Sequence, residues 1–465
     1  MTKQIGIIGA GVMGANLARN LARHDFEVAI YDRDAHKVKA LHGDRVFPTY
    51  TIENFLGTLE SPRRIWLMVN AGKPVESVLD DLKPYLAAGD VVMDGGNSYF
   101  KDTERRMRDL AARETHLISL GVSGGAEGAL HGPSLMPSGA REAYDVVSPF
   151  LRAIAATTAD GEPCVTYLGE GGAGHYVKMV HNGIEYALMQ AIAEIYDLLT
   201  RCGGLQAEQV ATLFAEWNTG VTASFLLEIS TKILNTHDGE AALVDLILDT
   251  AEQKGTGRWA SQNALEVGRV VSMMTSAVEA RIMSAHKAAR VQAAKILPGP
   301  QPTRRKVNEL INAARAALCG AMVIAFSQGF DLLHGASDEY HYSYALADVA
   351  HIWRAGCIIR ANILDEIRVA YRVGLDHLLL SESLRETVAQ CQTGWRDAVT
   401  RGVLGGVPLP TLSAALAYYD SYRSERLPSN LIQAQRNFFG AHSYQRLDRA
   451  GNFHTHWGAE LTKKR

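Results

Sequence analysis

At 465 residues the chain is too long for one small core, so two or three domains are expected. Hydrophobic residues at 47% and charged residues at 21% are those of an ordinary soluble globular protein, and a formal net charge of −3 with no basic patch or arginine-rich arm gives no hint of nucleic acid. Five scattered cysteines (Cys164, Cys202, Cys319, Cys357, Cys391) without a C-x-x-C pair speak against a disulfide framework or metal cluster, no signal peptide is read at the start, and no apolar run reads as long enough to span a bilayer; the expectation is a cytoplasmic protein with no membrane partner.

Residues 4 to 34, "QIGIIGAGVMGANLARNLARHDFEVAIYDRD", read as a strand, then Gly9-x-Gly11-x-x-Gly14, then a helix, then a second strand ending at Asp32. Glycines let the turn tighten and let its backbone approach a pyrophosphate. The helix start then offers that anion free N–H groups and a positive dipole. A lone GxGxxG is a weak signal; one that follows a strand, opens a helix and precedes an acidic residue about twenty positions on is strong. Asp32 suits ribose hydroxyls and repels a 2′-phosphate, and Asp34 adds negative charge. Arg33 pulls the other way, since a guanidinium pairs with that phosphate or stacks on adenine. These residues alone lean towards NAD.

Further short apolar runs follow: "RRIWLMVN", "DVVMDGG" and "HLISLGVSGG", each ending in glycine or asparagine. Strand-like runs alternating with helical stretches argue for parallel strands in an α/β domain, whose ligands sit outside the carboxyl ends of the strands. After about residue 176 such runs stop.

"VKMVHNGIEY" (177 to 186) opens the second half. Lys178, His181, Asn182, Glu185 and Tyr186 fall within roughly 140° of one helical face, with Val180, Ile184, Ala187 and Leu188 opposite. Most helices with that pattern simply show water their polar side; the sharper reading makes this face one wall of an active site. Successive helices then run to about 435, broken most clearly by "LPGPQP" (297 to 302). "MQAIAEIYDLL" (189 to 199) resembles "MVIAFSQGFDLL" (322 to 333), and "LFAEWNTG" resembles "VAHIWRAG", which suggests a duplicated helical bundle. The last 30 residues are polar, aromatic and poorly periodic, and are expected to pack on something else, such as a partner subunit.

"DGGNS" (94 to 98), "GVSGGAEGALHGPSLMPSG" (121 to 139), "GAGHYVKMVHNGIEY" (172 to 186), "KGTGRW" (254 to 259) and "LIQAQRNFFGAH" (431 to 442) together resemble the 6-phosphogluconate dehydrogenase family of the β-hydroxyacid dehydrogenases, from end to end of the chain. The resemblance implies an α/β plus all-α protein in three parts: a Rossmann-type dinucleotide-binding domain (1–176), a large duplicated helical domain (177–435) and a C-terminal tail (436–465) reaching the other subunit of a homodimer. It implies oxidation of 6-phosphogluconate with NADP, loss of carbon dioxide and release of ribulose 5-phosphate, in the pentose phosphate pathway and gluconate utilization. Lys178 would be the general base and then acid; its pKa must fall from near 10.4 for that role. Glu185 would protonate carbon-1 of the enediol, which requires a raised carboxyl pKa. Asn97, Ser123, Gly124, Gly125, His181 and Asn182 would hold the substrate, with Tyr186, Lys254, Arg281 and, from the partner's tail, Arg436 and His442 at its phosphate. The cofactor would lie on Gly9, Ala10, Gly11, Val12, Met13 and Gly14, on Asp32, Arg33 and Asp34, on Val69, Asn70 and Ala71, and on Asn97. No metal is implied, and His454-x-His456 is too weak to suggest one.

Some positions depart from the family pattern. Asp32-Arg33-Asp34 replaces the usual Asn-Arg-Ser/Thr, and Asn70 replaces a usual lysine, which together make NAD plausible beside NADP. Ala126 replaces a usual glutamate, and "GIEYALMQ" replaces "GIEYGDMQ"; Gly11 replaces a usual alanine and completes the GxGxxG. Two other readings compete: a β-hydroxyacid dehydrogenase acting on a smaller acid such as 3-hydroxyisobutyrate, and a dinucleotide-binding sensor with no activity. The first lacks the duplicated helical half and tail, and the second would be expected to lose Lys178 or Glu185.

Overall fold

The computed structural model describes residues 2–457 apart from 42, 44 and 305. Seven strands form one sheet: β1 (Ile5–Ile8), β2 (Val28–Tyr31), β3 (Val46–Thr49), β4 (Arg64–Leu67), β5 (Val91–Asp94), β6 (His116–Ser123) and β7 (Ser134–Ser138), in the order β3-β2-β1-β4-β5-β6-β7. All pairs are parallel except β6 with β7. Seven helices connect and follow them: α1 (Val12–Arg23), α2 (Ala35–Lys39), α3 (Ile52–Gly57), α4 (Lys73–Leu82), α5 (Phe100–Ala111), α6 (Gly125–His131) and α7 (Arg141–Ile154).

The strands read as continuous apolar runs because both faces are covered. Ile7 packs with Leu17 and Leu21 of α1 and Val147 and Leu151 of α7, whereas Ile8 packs with Phe55 of α3 and Val75 and Leu79 of α4. Burying each such side chain is worth about 1.5–3 kcal/mol, so no other pairing of these runs competes. Strand β3, "VFPT", and the antiparallel strand β7, "SLMPS", were not expected from the sequence. They are the two edges of the sheet, and each contains a proline, which edge positions tolerate but which weakens a strand signal.

The helical half comprises α8 (Ala173–Arg201), α9 (Ala207–Trp217), α10 (Phe225–Leu234), a two-residue ladder of β8 (His237–Asp238) with β9 (Ala241–Ala242), α11 (Leu243–Leu246), α12 (Thr256–Glu266), α13 (Ser272–Ala285), α14 (Lys287–Ile296), α15 (Val307–Tyr340), α16 (Leu346–Ile352), α17 (Ile363–Arg372), α18 (Glu382–Gly405), α19 (Pro410–Tyr422) and α20 (Ser429–Gly440). Contrary to the sequence expectation, α15 is long and apolar enough to cross a membrane by length and composition. Yet 72% of its most apolar stretch is buried inside the protein, which marks a core helix.

The duplication is visible in detail. Long helix α8 is followed by α9, a buried Trp217, Gly220 at positive φ and α10 capped by Ser224. Long helix α15 is followed by α16, a buried Trp353, Gly356 at positive φ and α17 preceded by Asn362. The two copies join where they correspond: Phe225 N–H donates to Arg360 O (3.0 Å) and Asn362 N–H to Ala223 O (2.9 Å).

Helix α8 enters directly against the sheet. Its first N–H groups are satisfied by hydroxyls of β6 and β7: Ser138 Oγ accepts from Gly174 N–H (2.7 Å) and Ser119 Oγ from His175 N–H (2.8 Å). A Cβ on Gly174 would collide with the carbonyl of Met136, and one on Gly121 would stand 2.6 Å from Lys178 Cβ. Gly121→Ala is therefore expected to push α8 off β6 and to destabilise the protein by about 1–3 kcal/mol, read as a lower urea midpoint.

Residues up to Leu416 form one compact unit and Ala417–Arg465 a second. Within the second, the fully buried Asn437 replaces a hydrophobic core. Its amide donates to His442 O (2.7 Å), while its Oδ1 accepts from Thr455 N–H (3.2 Å) and Trp457 Nε1 (2.8 Å). Residues 458–465 of the expected tail lie outside the described residues.

Candidate functional site

The sheet order reverses between β1 and β4, which opens a crevice at the carboxyl ends of those strands. Gly9 takes φ +108°, and a Cβ on Gly14 would collide with Gly9 O, so the turn into α1 closes only with glycine at both places. Gly11 caps α1 without a side chain, Val12 is exposed and Met13 packs back on the core, which leaves the first-turn N–H groups facing outward. Asp32 is fastened to this turn: Oδ2 accepts from Ala10 N–H (2.7 Å) and Oδ1 from Asp34 N–H (2.9 Å). Asp34 in turn caps α2 by accepting from His36 N–H (3.1 Å). A cavity of about 310 Å³ is lined by Gly9, Gly11, Asp32, Arg33, Val69 and Asn70. Ala71 follows, half-buried, before α4. Side-chain-free turn, uncapped helix start and strand-end carboxylate fit a dinucleotide, with the pyrophosphate on Gly9–Gly14 and the ribose at Asp32.

The second cluster lies where α8 crosses the end of β6. Lys178 is 5% exposed and His181 is fully buried, so this face of α8 does not show itself to water. Lys178 Nζ lies 3.3 Å from His181 Nδ1, and His181 Nε2 lies 3.0 Å from Ser123 Oγ. Glu185 Oε2 stands 3.7 Å from His181 Nδ1, and the Asn182 amide donates to Thr256 Oγ1 (3.2 Å). Gly124 and Gly125, both at positive φ, turn the chain out of β6 beside these groups.

Burial sets the protonation of the cluster. It lowers Lys178 to about 8, against the opposing pull of Glu185. It also raises Glu185 above the ordinary carboxyl range, although Lys178 and Arg281 oppose the shift. His181 is held well below its usual value by burial and by Lys178, and stays neutral. An amine lowered towards neutrality, a carboxyl raised by burial and a neutral imidazole are a set for moving protons.

Two further groups flank the cluster. Asn97, at φ +53°, sits in the loop after β5 where Asp94 accepts from Gly96 N–H (3.0 Å) and Ser98 Oγ (2.7 Å). On the other side the Arg281 guanidinium lies 3.4 Å from the Tyr186 ring centroid and donates to Glu252 O (3.1 Å), two residues before the exposed Lys254. Arg436, which donates to Gln433 (3.0 Å), and His442 belong to the C-terminal unit and are exposed there. The exposed Ala126 has its carbonyl held by Asn16 (2.8 Å); nothing in the structure explains why that side chain is alanine.

Sequence reasoning missed Trp353, whose ring meets His181 edge-on at 5.7 Å, and the buried Cys357, which interacts electrostatically with Lys178. Both lie on "WRAGC", the copy of "WNTG". Following the repeat into space was the available signal. Thr256 was also missed, inside a quoted motif. All five cysteines are free, and among the described residues no group of His, Cys, Asp and Glu could hold a metal ion.

Comparison with known proteins gives consistent matches. Residues 4–169 match the family described as the NAD binding domain of 6-phosphogluconate dehydrogenase, and residues 174–457 its C-terminal domain. The chain is 49% identical over 464 residues to 6-phosphogluconate dehydrogenase, decarboxylating, of Salmonella typhimurium, covering 98% of this chain and 99% of that one. It is 48% identical over 465 residues, with the same coverage, to the NADP(+)-dependent, decarboxylating enzyme of Bacillus subtilis. A solved structure of Plasmodium falciparum 6-phosphogluconate dehydrogenase, studied with NADP+ and with 6-phosphogluconate, superposes with a TM-score of 0.92 at 36% identity, over 98% of this chain and 100% of that one.

Proposed function

The chain belongs to the 6-phosphogluconate dehydrogenase family, and from that premise we propose that it catalyses the oxidative decarboxylation of 6-phosphogluconate to ribulose 5-phosphate and carbon dioxide. The observation that carries this reading is the buried Lys178, held near 8 beside His181, with the Glu185 carboxyl raised by burial on the same helical face. The division into residues 1–176, 177–435 and 436–465 follows the same reading.

A bound NADP or NAD would supply the hydride acceptor. With a pKa near 8, about a tenth of Lys178 is neutral at pH 7, enough to take the carbon-3 hydroxyl proton. The protonated amine then returns a proton to the keto oxygen as the carboxylate leaves. Glu185 protonates carbon-1 of the resulting enediol. Ser123, Gly124, Gly125, His181, Asn182 and Asn97 hold the hydroxyls and carboxylate. Thr256 fixes Asn182, and Tyr186, Lys254 and Arg281 receive the phosphate.

The reading includes a homodimer in which Arg436 and His442 of the partner subunit complete the phosphate site. Exposed apolar side chains support it: Leu246, Ile247 and Leu248 at the end of α11 and just past it, and Phe438 and Phe439 on α20, are surface that a monomer would leave wet. Five free cysteines support a reducing, cytoplasmic setting.

The test is turnover of 6-phosphogluconate with each dinucleotide, following absorbance near 340 nm and released carbon dioxide together. Both signals in equal amounts are expected. Reduced dinucleotide without carbon dioxide would point to a dehydrogenase of smaller hydroxy acids, and neither signal would overturn the catalytic reading.

A further inference from the structure

Arg33 is the guanidinium at the ribose end of the dinucleotide cavity, and it is already engaged. Its Nη2 donates to Asp81 Oδ2 (3.0 Å) and to Ser77 Oγ (2.6 Å). Ser77 and Asp81 lie one helical turn apart on α4 and share a face. The buried Val75, Val78, Leu79 and Leu82 fix the rotation of that helix, so packing puts Ser77 and Asp81 on its outer face beside the exposed Arg33. Asp81 itself lines the cavity with Asp32, Arg33 and Lys37.

We propose that Asp81 is a specificity-determining residue that acts through Arg33, standing where a 2′-phosphate would otherwise find its partner, so that the chain accepts dinucleotides with and without that phosphate. This rests on the dinucleotide reading above and deepens it. Two carboxylates, Asp32 and Asp81, balance two cations, Arg33 and Lys37, in the cavity wall. A dianionic 2′-phosphate therefore gains little net attraction, and it must share the Arg33 guanidinium with a carboxylate already on Nη2. A ribose with both hydroxyls free meets neither cost and finds Asp32 as an acceptor.

Calorimetric titration with two probes, 2′,5′-ADP and 5′-ADP, tests the assignment without any turnover. The full-length protein is expected to bind the two with affinities within about tenfold of each other. Asp81→Asn should strengthen 2′,5′-ADP binding by about tenfold and leave 5′-ADP within twofold. In the Asp81→Asn, Arg33→Ala double variant that gain should vanish, because it runs through the freed guanidinium. An unchanged ratio in Asp81→Asn, an equal change for both probes, or a gain that survives the loss of Arg33 would each overturn the proposal. Binding of both probes by a protein that releases no carbon dioxide would sink the catalytic reading and leave this one standing.

Discussion

Lys178→Met is expected to lower kcat/KM for 6-phosphogluconate by about 10³-fold, within the range that positioned general acid–base groups supply. Methionine keeps most of the lysine's length and removes the buried amine, which lies 3.3 Å from His181 Nδ1 on the helix packed against β6. Burial already disfavours the charged amine, so removing it should leave the thermal unfolding midpoint little changed while activity is lost. The pH profile of the unaltered protein carries the sign. Lys178 must be neutral to accept a proton, and burial lowers it to about 8. The rate should therefore rise about tenfold per unit from pH 6 to 7, bend near 8 and level above it. A flat profile from pH 6 to 8, or activity in Lys178→Met within tenfold of the parent, would refute the assignment.

Arg436→Ala is expected to raise KM for 6-phosphogluconate by about 10–100-fold while affecting kcat less, because a charge-assisted hydrogen bond to phosphate is worth about 1.5–3 kcal/mol. The more decisive experiment mixes this variant with Lys178→Met after co-refolding. If Arg436 of the partner subunit completes each site, a heterodimer carries one site with both defects and one with neither. Assayed at substrate well below KM, where each variant alone is weak, the mixture should then reach about a quarter of the parental activity, since half of randomly paired dimers are mixed. No recovery, with mixed dimers shown to form, would mean that each chain builds its own phosphate site.

The candidate site was legible in the sequence wherever a short motif carries a mechanism. Gly9-x-Gly11-x-x-Gly14 with Asp32 was legible as a candidate dinucleotide turn because a side-chain-free loop lets the backbone approach a pyrophosphate, and the turn is tight enough for that. The five polar positions from Lys178 to Tyr186 were legible as one helical face from their spacing alone. Their character was not. Spacing cannot distinguish a solvated face from a buried one, and an exposed lysine would keep its ordinary pKa. Burial is a property of what packs around α8, namely β6 and β7 through Gly121 and Gly174, together with Trp353 and Cys357 from the second copy of the repeat. Edge strands β3 and β7 escaped notice because proline weakens the local signal, while pairing with a neighbouring strand overrides it. The engagement of Arg33 by Asp81 was equally invisible, since the two are separated by α2, β3, α3, β4 and most of α4. Composition, motifs and periodicity are local and survive in one dimension. Desolvation and charge pairing depend on which distant segments share a volume, and here they decide which amine loses its proton and which guanidinium is free.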